Sequence, residues 1–292
     1  MTFRLVAFDI DGTLLGSDRQ LQPGTRLGLE AIREAGAQIM LASGRPIPGL
    51  KQLAEKLEIG EDLILAGMNG SIIVDQASGE VIARREIDAQ TAQEIIDHVL
   101  SRGLIVMIPL GEELFASEPE HPQVRHEAEG NALSIRPLPQ VADLPEPATK
   151  LLFTGERPEL LELQKELDRD FADRAECTFS SPIYFEATAR GVDKSSAITD
   201  YCAAKGIPLE AVMAFGDNGN DITMLSAAGL GVAMGNGIPE AKEVADVVTA
   251  TNDDEGIARI LEQYFPFSLS EVDAQDERRE DRTETPEPTG RG

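Results

Sequence analysis

Residues 5–15, LVAFDIDGTLL, decide the fold of this 292-residue chain. The first four are apolar and lead into an acidic residue, which predicts a buried strand of a parallel sheet with Asp9 at its carboxyl end. Residues two apart in an extended chain face the same side, so Asp9 and Asp11 can share a pocket, and Gly12 lets the chain turn. Two carboxylates there favour a divalent cation. Taken alone, residues 9–12 would also fit a solvent-exposed turn, because Asp and Gly are common turn residues.

Two further apolar runs end in polar clusters. Residues 37–42, AQIMLA, lead into Ser43 and Gly44, and residues 211–215, AVMAF, lead into GDNGND at 216–221. Helical spacing at 23–35 and 46–57 separates the first strands, so strand and helix alternate. This order predicts an α/β fold with a parallel sheet, whose carboxyl edge collects the three clusters at one site.

The collected residues suit a phosphorylated ligand. Asp217 adds a carboxylate to the first pair and completes a plausible Mg²⁺ site, while Ser43 and the Gly44 amide can hydrogen-bond phosphate oxygens at a helix N-terminus. Lys194, at the start of a helix predicted over 193–205, can neutralise phosphoryl charge. Each piece also has an ordinary explanation as a helix cap, a surface lysine or an acidic loop. Their occurrence together, in this order, favours a site.

The pattern predicts four segments. Residues 1–85 form the first part of a parallel-sheet core, which ends in a hairpin. Residues 86–188 form an inserted cap domain of mixed α+β order, with helices near 89–102 and 158–170 and strands near 104–108, 133–136 and 150–154. Residues 189–267 return to the core. Residues 268–292 are charged and rich in Pro, Glu and Arg, which is typical of a disordered acidic tail.

Composition limits the partners and the compartment. The formal net charge of -26 argues against nucleic-acid binding, which depends on basic surface. Two isolated cysteines, Cys177 and Cys202, form neither a disulfide framework nor a zinc site and are expected to be buried apolar residues. With no charged-then-apolar leader and no apolar stretch of membrane-spanning length, we expect a cytoplasmic protein that binds no membrane.

Five motifs together make the sequence resemble the Cof-type (IIB) branch of the haloacid dehalogenase superfamily of phosphohydrolases, over about residues 3–265. The motifs are DIDGTLL (9–15), ASGR (42–45), GVDK (191–194), GDNGND (216–221) and GLGVAMGN (229–236). The resemblance implies a Rossmann-like core with a large α/β cap inserted between the second and third motifs. The cap is then expected to close over the site, exclude water and select the leaving group.

The resemblance also implies roles for individual residues. Asp9 is the nucleophile that forms an aspartyl-phosphate, and Asp11 protonates the leaving alcohol and then activates water. Mg²⁺ is held by Asp9, the Asp11 carbonyl and Asp217, with Asp221 in support. The phosphate is bound by a larger set, namely Ser43, Gly44, Lys194, Asn220 and the amide of Ile10.

These observations predict a Mg²⁺-dependent phosphatase for a small phosphorylated metabolite, with sugar phosphates the leading class. Two alternatives stay open: a phosphomutase using the same intermediate, and a non-catalytic phosphometabolite-binding protein. One departure from the family pattern is the stretch FEATARG at 185–191, where Arg190 either reaches the substrate or lies on the surface. Candidate cap residues, each also explicable as ordinary polar surface, are Glu118, His121, Arg125, His126 and Arg136.

Overall fold

The computed structural model describes residues 2–270 and contains two sheets. The strands of the larger sheet are β1 (Leu5–Phe8), β2 (Gln38–Ala42), β3 (Ile64–Gly67), β4 (Ile72–Asp75), β5 (Val81–Arg84), β12 (Val212–Gly216), β13 (Leu230–Ala233) and β14 (Val247–Val248). Their order across the sheet is β14-β13-β12-β1-β2-β3-β4-β5, with parallel pairing from β14 to β3 and antiparallel pairing from β3 to β5.

The apolar run of β1 is buried on both faces of this sheet. Val6 and Phe8 pack into one hydrophobic cluster, whereas Leu5 and Ala7 pack into a second cluster on the opposite face. Burial on two sides explains why the run shows no polar alternation. The helices of this domain are α1 (Pro23–Glu34), α2 (Ile47–Lys56), α6 (Lys194–Lys205), α7 (Ile222–Ala227), α8 (Pro239–Val244) and α9 (Gly256–Leu261).

The second sheet is formed by the strands β6 (Ile105–Leu110), β7 (Glu113–Ala116), β8 (Ser134–Pro137), β9 (Lys150–Thr154), β10 (Ala175–Ser181) and β11 (Tyr184–Ala189). Their order across the sheet is β10-β11-β9-β6-β7-β8. Helices α3 (Ala89–Ser101), α4 (Pro122–Gly130) and α5 (Arg157–Asp170) lie in the same part of the chain. This is the inserted cap, and the predicted α/β fold class is confirmed. The predicted boundaries of the cap, residues 86 and 188, stay a prediction.

Several elements differ from the sequence-based expectation. Helix α4, strand β7 and the β10–β11 hairpin were not predicted. Their short runs of mixed polar and apolar residues match neither the helical period of about 3.6 residues nor the strand period of two. Cys202 is buried, as expected, but Cys177 is only half-buried, and both are free thiols. Of the predicted tail, residues 271–292 lie outside the described part of the chain. Between residues 2 and 270, no helix has the length and apolar character needed to cross a bilayer.

Candidate active site

The site lies at the carboxyl edge of the larger sheet, where β1 pairs with β12 on one side and β2 on the other. Phe8 is in register with Phe215 and Leu41, so the residues that follow all three strands meet there. The Asp9 amide continues the ladder by donating to the Phe215 carbonyl at 3.0 Å. The sheet therefore brings Asp9, Ser43 and the 216–221 loop to one place.

Three carboxylates cluster at this edge. Oxygens of Asp9, Asp217 and Asp221 all lie within 4.8 Å of one another. Thr13 orients Asp217 by donating to its Oδ1 at 2.7 Å. Gly12 has φ +90°, and a Cβ there would lie 2.6 Å from Asp217 Oδ2. Glycine is thus required at this position both for its backbone conformation and for the close approach of the carboxylate.

Asp221 is anchored differently from the other two acids. Its Oδ2 accepts hydrogen bonds from the amides of Asp217 (3.0 Å) and Asn218 (2.9 Å), and its Oδ1 accepts one from Lys194 (2.5 Å). Both oxygens therefore have partners within the protein. Asp221 thus holds the 216–221 loop and Lys194 in place, and its predicted supporting role at a metal stays a prediction.

Lys194 is the buried cation beside the three acids. Its side chain has no exposed surface, and its Nζ donates to both Asp9 and Asp221. Helix α6 places it there, since Asp193 caps the helix by accepting from the Ser196 amide at 2.8 Å and Lys194 is the first helical residue. Burial by itself lowers the pKa of the ammonium, but the two carboxylates outweigh burial and leave its pKa above the ordinary value.

The cluster of three acids has the chemistry of a site for a divalent cation. Burial raises the pKa of Asp9 to about 7 against the opposing effect of Lys194, with Asp221 and Asp217 also raising it. Burial likewise raises the pKa of Asp217, helped by Asp221. Three clustered acids against one lysine leave an excess of negative charge that a hard cation would compensate. The residues present therefore suit Mg²⁺, with Asp9 and Asp217 offering side-chain oxygens.

The raised pKa of Asp9 gives a pH prediction for the metal-free protein. Between the ordinary value near 3.8 and about 7, Asp9 stays protonated in the fold but ionises in the unfolded chain. Its contribution to the free energy of unfolding therefore decreases as pH rises through this window, by at most about 1.4 kcal/mol per pH unit. Urea unfolding of wild type and Asp9→Asn in EDTA measures the difference. A stability difference independent of pH would contradict the assignment.

The other predicted site residues occupy the same edge. Ser43 is buried, its Oγ accepts from the Arg45 amide at 3.3 Å, and its own amide donates to the Ala66 carbonyl at 3.0 Å. Asp11 is exposed, and Arg45 binds its carboxylate at 3.1 Å. Ile10 has a fully buried side chain, and the assignment of its amide to phosphate stays a prediction.

A cavity of about 720 Å³ separates this edge from the cap. Its core side includes Asp9, Asp11, Ser43, Gly44 and Asn220, and its cap side includes His126, Glu127, Lys150, Tyr184 and Glu186. The volume suits a small organic ligand. The cavity is therefore lined by the Asp9 and Asp11 carboxylates, the Ser43 hydroxyl and the buried ammonium of Lys150. Asp217, Asp221 and Lys194 are not among its lining residues and meet it only through their contacts with Asp9.

Only His126, among the cap candidates chosen from sequence, lines the cavity. Arg125 pairs with Glu120, Arg136 pairs with Glu113 at 2.7 Å, and His121 accepts from the Gln123 amide at the start of α4. Glu118 is not among the lining residues. Arg190 donates to the Asp173 carbonyl at 3.4 Å and also lies outside the lining.

Sequence reasoning missed Lys150 and Glu186. Each is a charged residue inside an apolar strand, in KLLFT (150–154) and YFEATA (184–189). A charged residue inside an otherwise apolar run indicates a buried charge that needs a partner, and this was the available signal, although it does not identify the partner.

The fold and the site define a class: an α/β protein with a parallel-sheet core and a carboxylate-centred site beneath an inserted cap. Comparison with known proteins supports the family that the sequence motifs indicated. Residues 6–261 match the family model for haloacid dehalogenase-like hydrolases. The chain thus belongs to the haloacid dehalogenase-like hydrolases, in the Cof-type branch that its motifs indicate, and is a phosphatase of that family.

The chain is similar to other proteins over most of its length. A Bacillus subtilis 5-amino-6-(5-phospho-D-ribitylamino)uracil phosphatase is 30% identical over 89% of this chain and 95% of its own. The Escherichia coli pyridoxal phosphate phosphatase is 28% identical over 91% of this chain and 100% of its own. A crystal structure of a haloacid dehalogenase-like hydrolase from Bacteroides thetaiotaomicron is 30% identical, with a TM-score of 0.82, covering 90% of this chain and 100% of that one.

Proposed function

We propose that the protein is a cytoplasmic, Mg²⁺-dependent phosphatase that hydrolyses a small phosphomonoester, with sugar phosphates the leading class, through an aspartyl-phosphate. The observation that carries the proposal is the position of Asp9. Its carboxylate is buried beside Lys194 at the strand end and also faces a cavity large enough for a metabolite. The relatives act on chemically different phosphomonoesters, which supports the reaction type more strongly than any one substrate.

The residues divide the reaction between them. Asp9 attacks phosphorus while Ser43, the Gly44 amide and Lys194 bind the phosphoryl oxygens and orient the ester for in-line displacement. Asp9, the Asp11 carbonyl and Asp217 would hold Mg²⁺, which would supply positive charge to lower the repulsion between the nucleophile and the phosphate. Asp11 gives its proton to the leaving alkoxide and later takes one from the water that hydrolyses the aspartyl-phosphate.

The direct test is phosphate release from a panel of sugar phosphates, nucleotides and cofactor phosphates, with Mg²⁺ or with EDTA. Metal-dependent release of inorganic phosphate supports the proposal and ranks the substrates. Transfer of the phosphoryl group to a second hydroxyl, with no free phosphate, would identify a phosphomutase instead. Binding without any turnover would favour a phosphometabolite-binding protein.

Asp11→Asn is expected to lower kcat by roughly 10²- to 10⁴-fold, the usual contribution of a general acid and base. The affinity for inorganic phosphate should stay close to wild type, because Asp11 is exposed and pairs with Arg45 rather than with the phosphate-binding residues. Steady-state kinetics and calorimetry of phosphate binding measure the two effects. An unchanged kcat would refute the acid-base role, and Asp18→Asn, in the nearby exposed loop, serves as the control.

Mg²⁺ is expected to raise the melting temperature of wild type, since ligands that bind the native state stabilise it. At a hundredfold excess over Kd this amounts to about 2.7 kcal/mol. Asp217→Asn removes one ligand and one of the repelling charges, so we expect a metal-free melting temperature at or above that of wild type and a much smaller Mg²⁺ shift. Calorimetry with and without EDTA measures both. Asp143→Asn, on the cap surface, should retain the full shift, and a full shift in Asp217→Asn would contradict the site.

A further inference from the structure

A buried ion pair joins two cap strands above the phosphate-binding loop. Lys150 starts β9 and Glu186 lies in β11, and the two strands are paired. Lys150 Nζ lies 2.7 Å from Glu186 Oε2, and the side chains are 4% and 0% exposed. An apolar pair of similar volume would stabilise the cap at least as well, because both charges lose their hydration on burial. Stability of the cap alone therefore does not account for the pair.

Both members of the pair also contact the core. Lys150 Nζ donates to the Gly44 carbonyl at 2.9 Å. Glu186 Oε1 accepts from the Asn69 side-chain amide at 3.1 Å, and the Asn69 backbone amide donates to the Ser43 carbonyl at 2.9 Å. The pair thus reaches the loop at Ser43 and Gly44 twice, directly through Lys150 and through Asn69.

These contacts fix the two peptide groups that present the phosphate donors. The Ser43 carbonyl and the Gly44 amide share one planar trans peptide, so holding the carbonyl fixes the direction of the amide. The Gly44 carbonyl and the Arg45 amide share the next one, and the Arg45 amide donates to Ser43 Oγ at 3.3 Å. A hydroxyl can accept and donate at the same time. While Ser43 Oγ accepts from the Arg45 amide, its hydrogen can therefore donate to a phosphate oxygen.

We propose that Lys150 and Glu186 are positioning residues: when the cap closes, they orient the loop at Ser43 and Gly44 for phosphate. Neither residue needs to contact the phosphoryl group. The inference rests on the proposed phosphatase function of the same site. It links closure of the cap to the affinity of the core for phosphate, so that the donors are aligned only when the cavity is closed.

The test compares wild type with the double variant Lys150→Met/Glu186→Gln, which removes both charges and leaves the net charge unchanged. Affinity for inorganic phosphate is measured by calorimetry with Mg²⁺, together with kcat, KM and the melting temperature. We expect phosphate affinity to fall roughly tenfold, the equivalent of one charge-assisted hydrogen bond. KM should rise in parallel, while the melting temperature changes little. The matched control is Arg102→Met/Glu166→Gln, which neutralises another cap ion pair that does not reach the core.

Wild-type affinity for phosphate in the double variant would overturn the proposal, as would an equal loss in the control. If the double variant does not fold, the single variant Lys150→Arg is tested instead. It keeps the positive charge beside Glu186 but replaces the compact ammonium with a larger, planar guanidinium. It should also bind phosphate more weakly, and normal affinity there would likewise overturn the proposal. Failure of the phosphatase function itself shows separately, as absence of turnover in wild type, while the phosphate-binding comparison still tests positioning.

Discussion

Asp9→Asn is expected to lower the rate of phosphate release by roughly 10⁴-fold or more, since it removes the proposed nucleophile and with it the covalent route. Asparagine has nearly the shape of aspartate, but its neutral amide is a poor nucleophile towards phosphorus. The fold should remain, because Lys194 keeps its contact with Asp221 at 2.5 Å. Phosphate release under saturating substrate and Mg²⁺ measures the effect, and circular dichroism checks the fold.

A control separates the nucleophile from the general loss of a carboxylate at this edge. Asp253→Asn changes an acid that accepts from the Ser17 amide at 2.7 Å, away from Lys194 and the cavity lining. It should retain turnover close to wild type. Normal turnover in Asp9→Asn would exclude an aspartyl-phosphate on this residue. Trapping a phosphorylated wild-type protein that Asp9→Asn does not form would support it independently.

The core of the site was predictable because its information is local. Each polar cluster directly follows an apolar run, and parallel strands bring their carboxyl ends to a single edge. The position of each residue at the end of its own strand was therefore enough to place Asp9, Ser43 and Asp217 at this edge. The supporting contact of Thr13 with Asp217 was not predicted, since it depends on how a loop folds back over 204 residues of sequence separation.

The cap was less predictable because its contacts are not local. Candidates were chosen for polarity, and the structure places Arg125 and Arg136 in ion pairs with cap acids instead. The residues that do face the core, Lys150 and Glu186, lie in apolar strands. Which strands pair with each other cannot be deduced from the periodicity of apolar residues or from their spacing in the sequence. A charged residue within an otherwise buried strand is the more informative signal, since burial must be compensated by a partner.

Lys194→Met is expected to destabilise the metal-free protein by about 3–5 kcal/mol, the usual result of removing one partner from a buried ion pair. The carboxylates of Asp9 and Asp221 then lie close together without a cation between them. For a protein of this size the loss corresponds to a decrease in melting temperature of roughly 10 °C. Scanning calorimetry in EDTA at pH 8 measures it. Lys205→Met, at the other end of helix α6, is the control and should melt near the wild-type temperature.

The pH dependence of that loss identifies its cause. Without Lys194 the pKa of Asp9 should rise further above about 7, because the ammonium is what opposes burial there. A carboxyl group with a raised pKa in the fold loses stability as pH rises and recovers it on protonation. The deficit of Lys194→Met relative to wild type should therefore be largest at pH 8 and shrink towards pH 5. A deficit of constant size would attribute the destabilisation to packing of the methionine instead. Activity should fall at every pH, because the variant lacks the cation that we propose binds the phosphoryl oxygens.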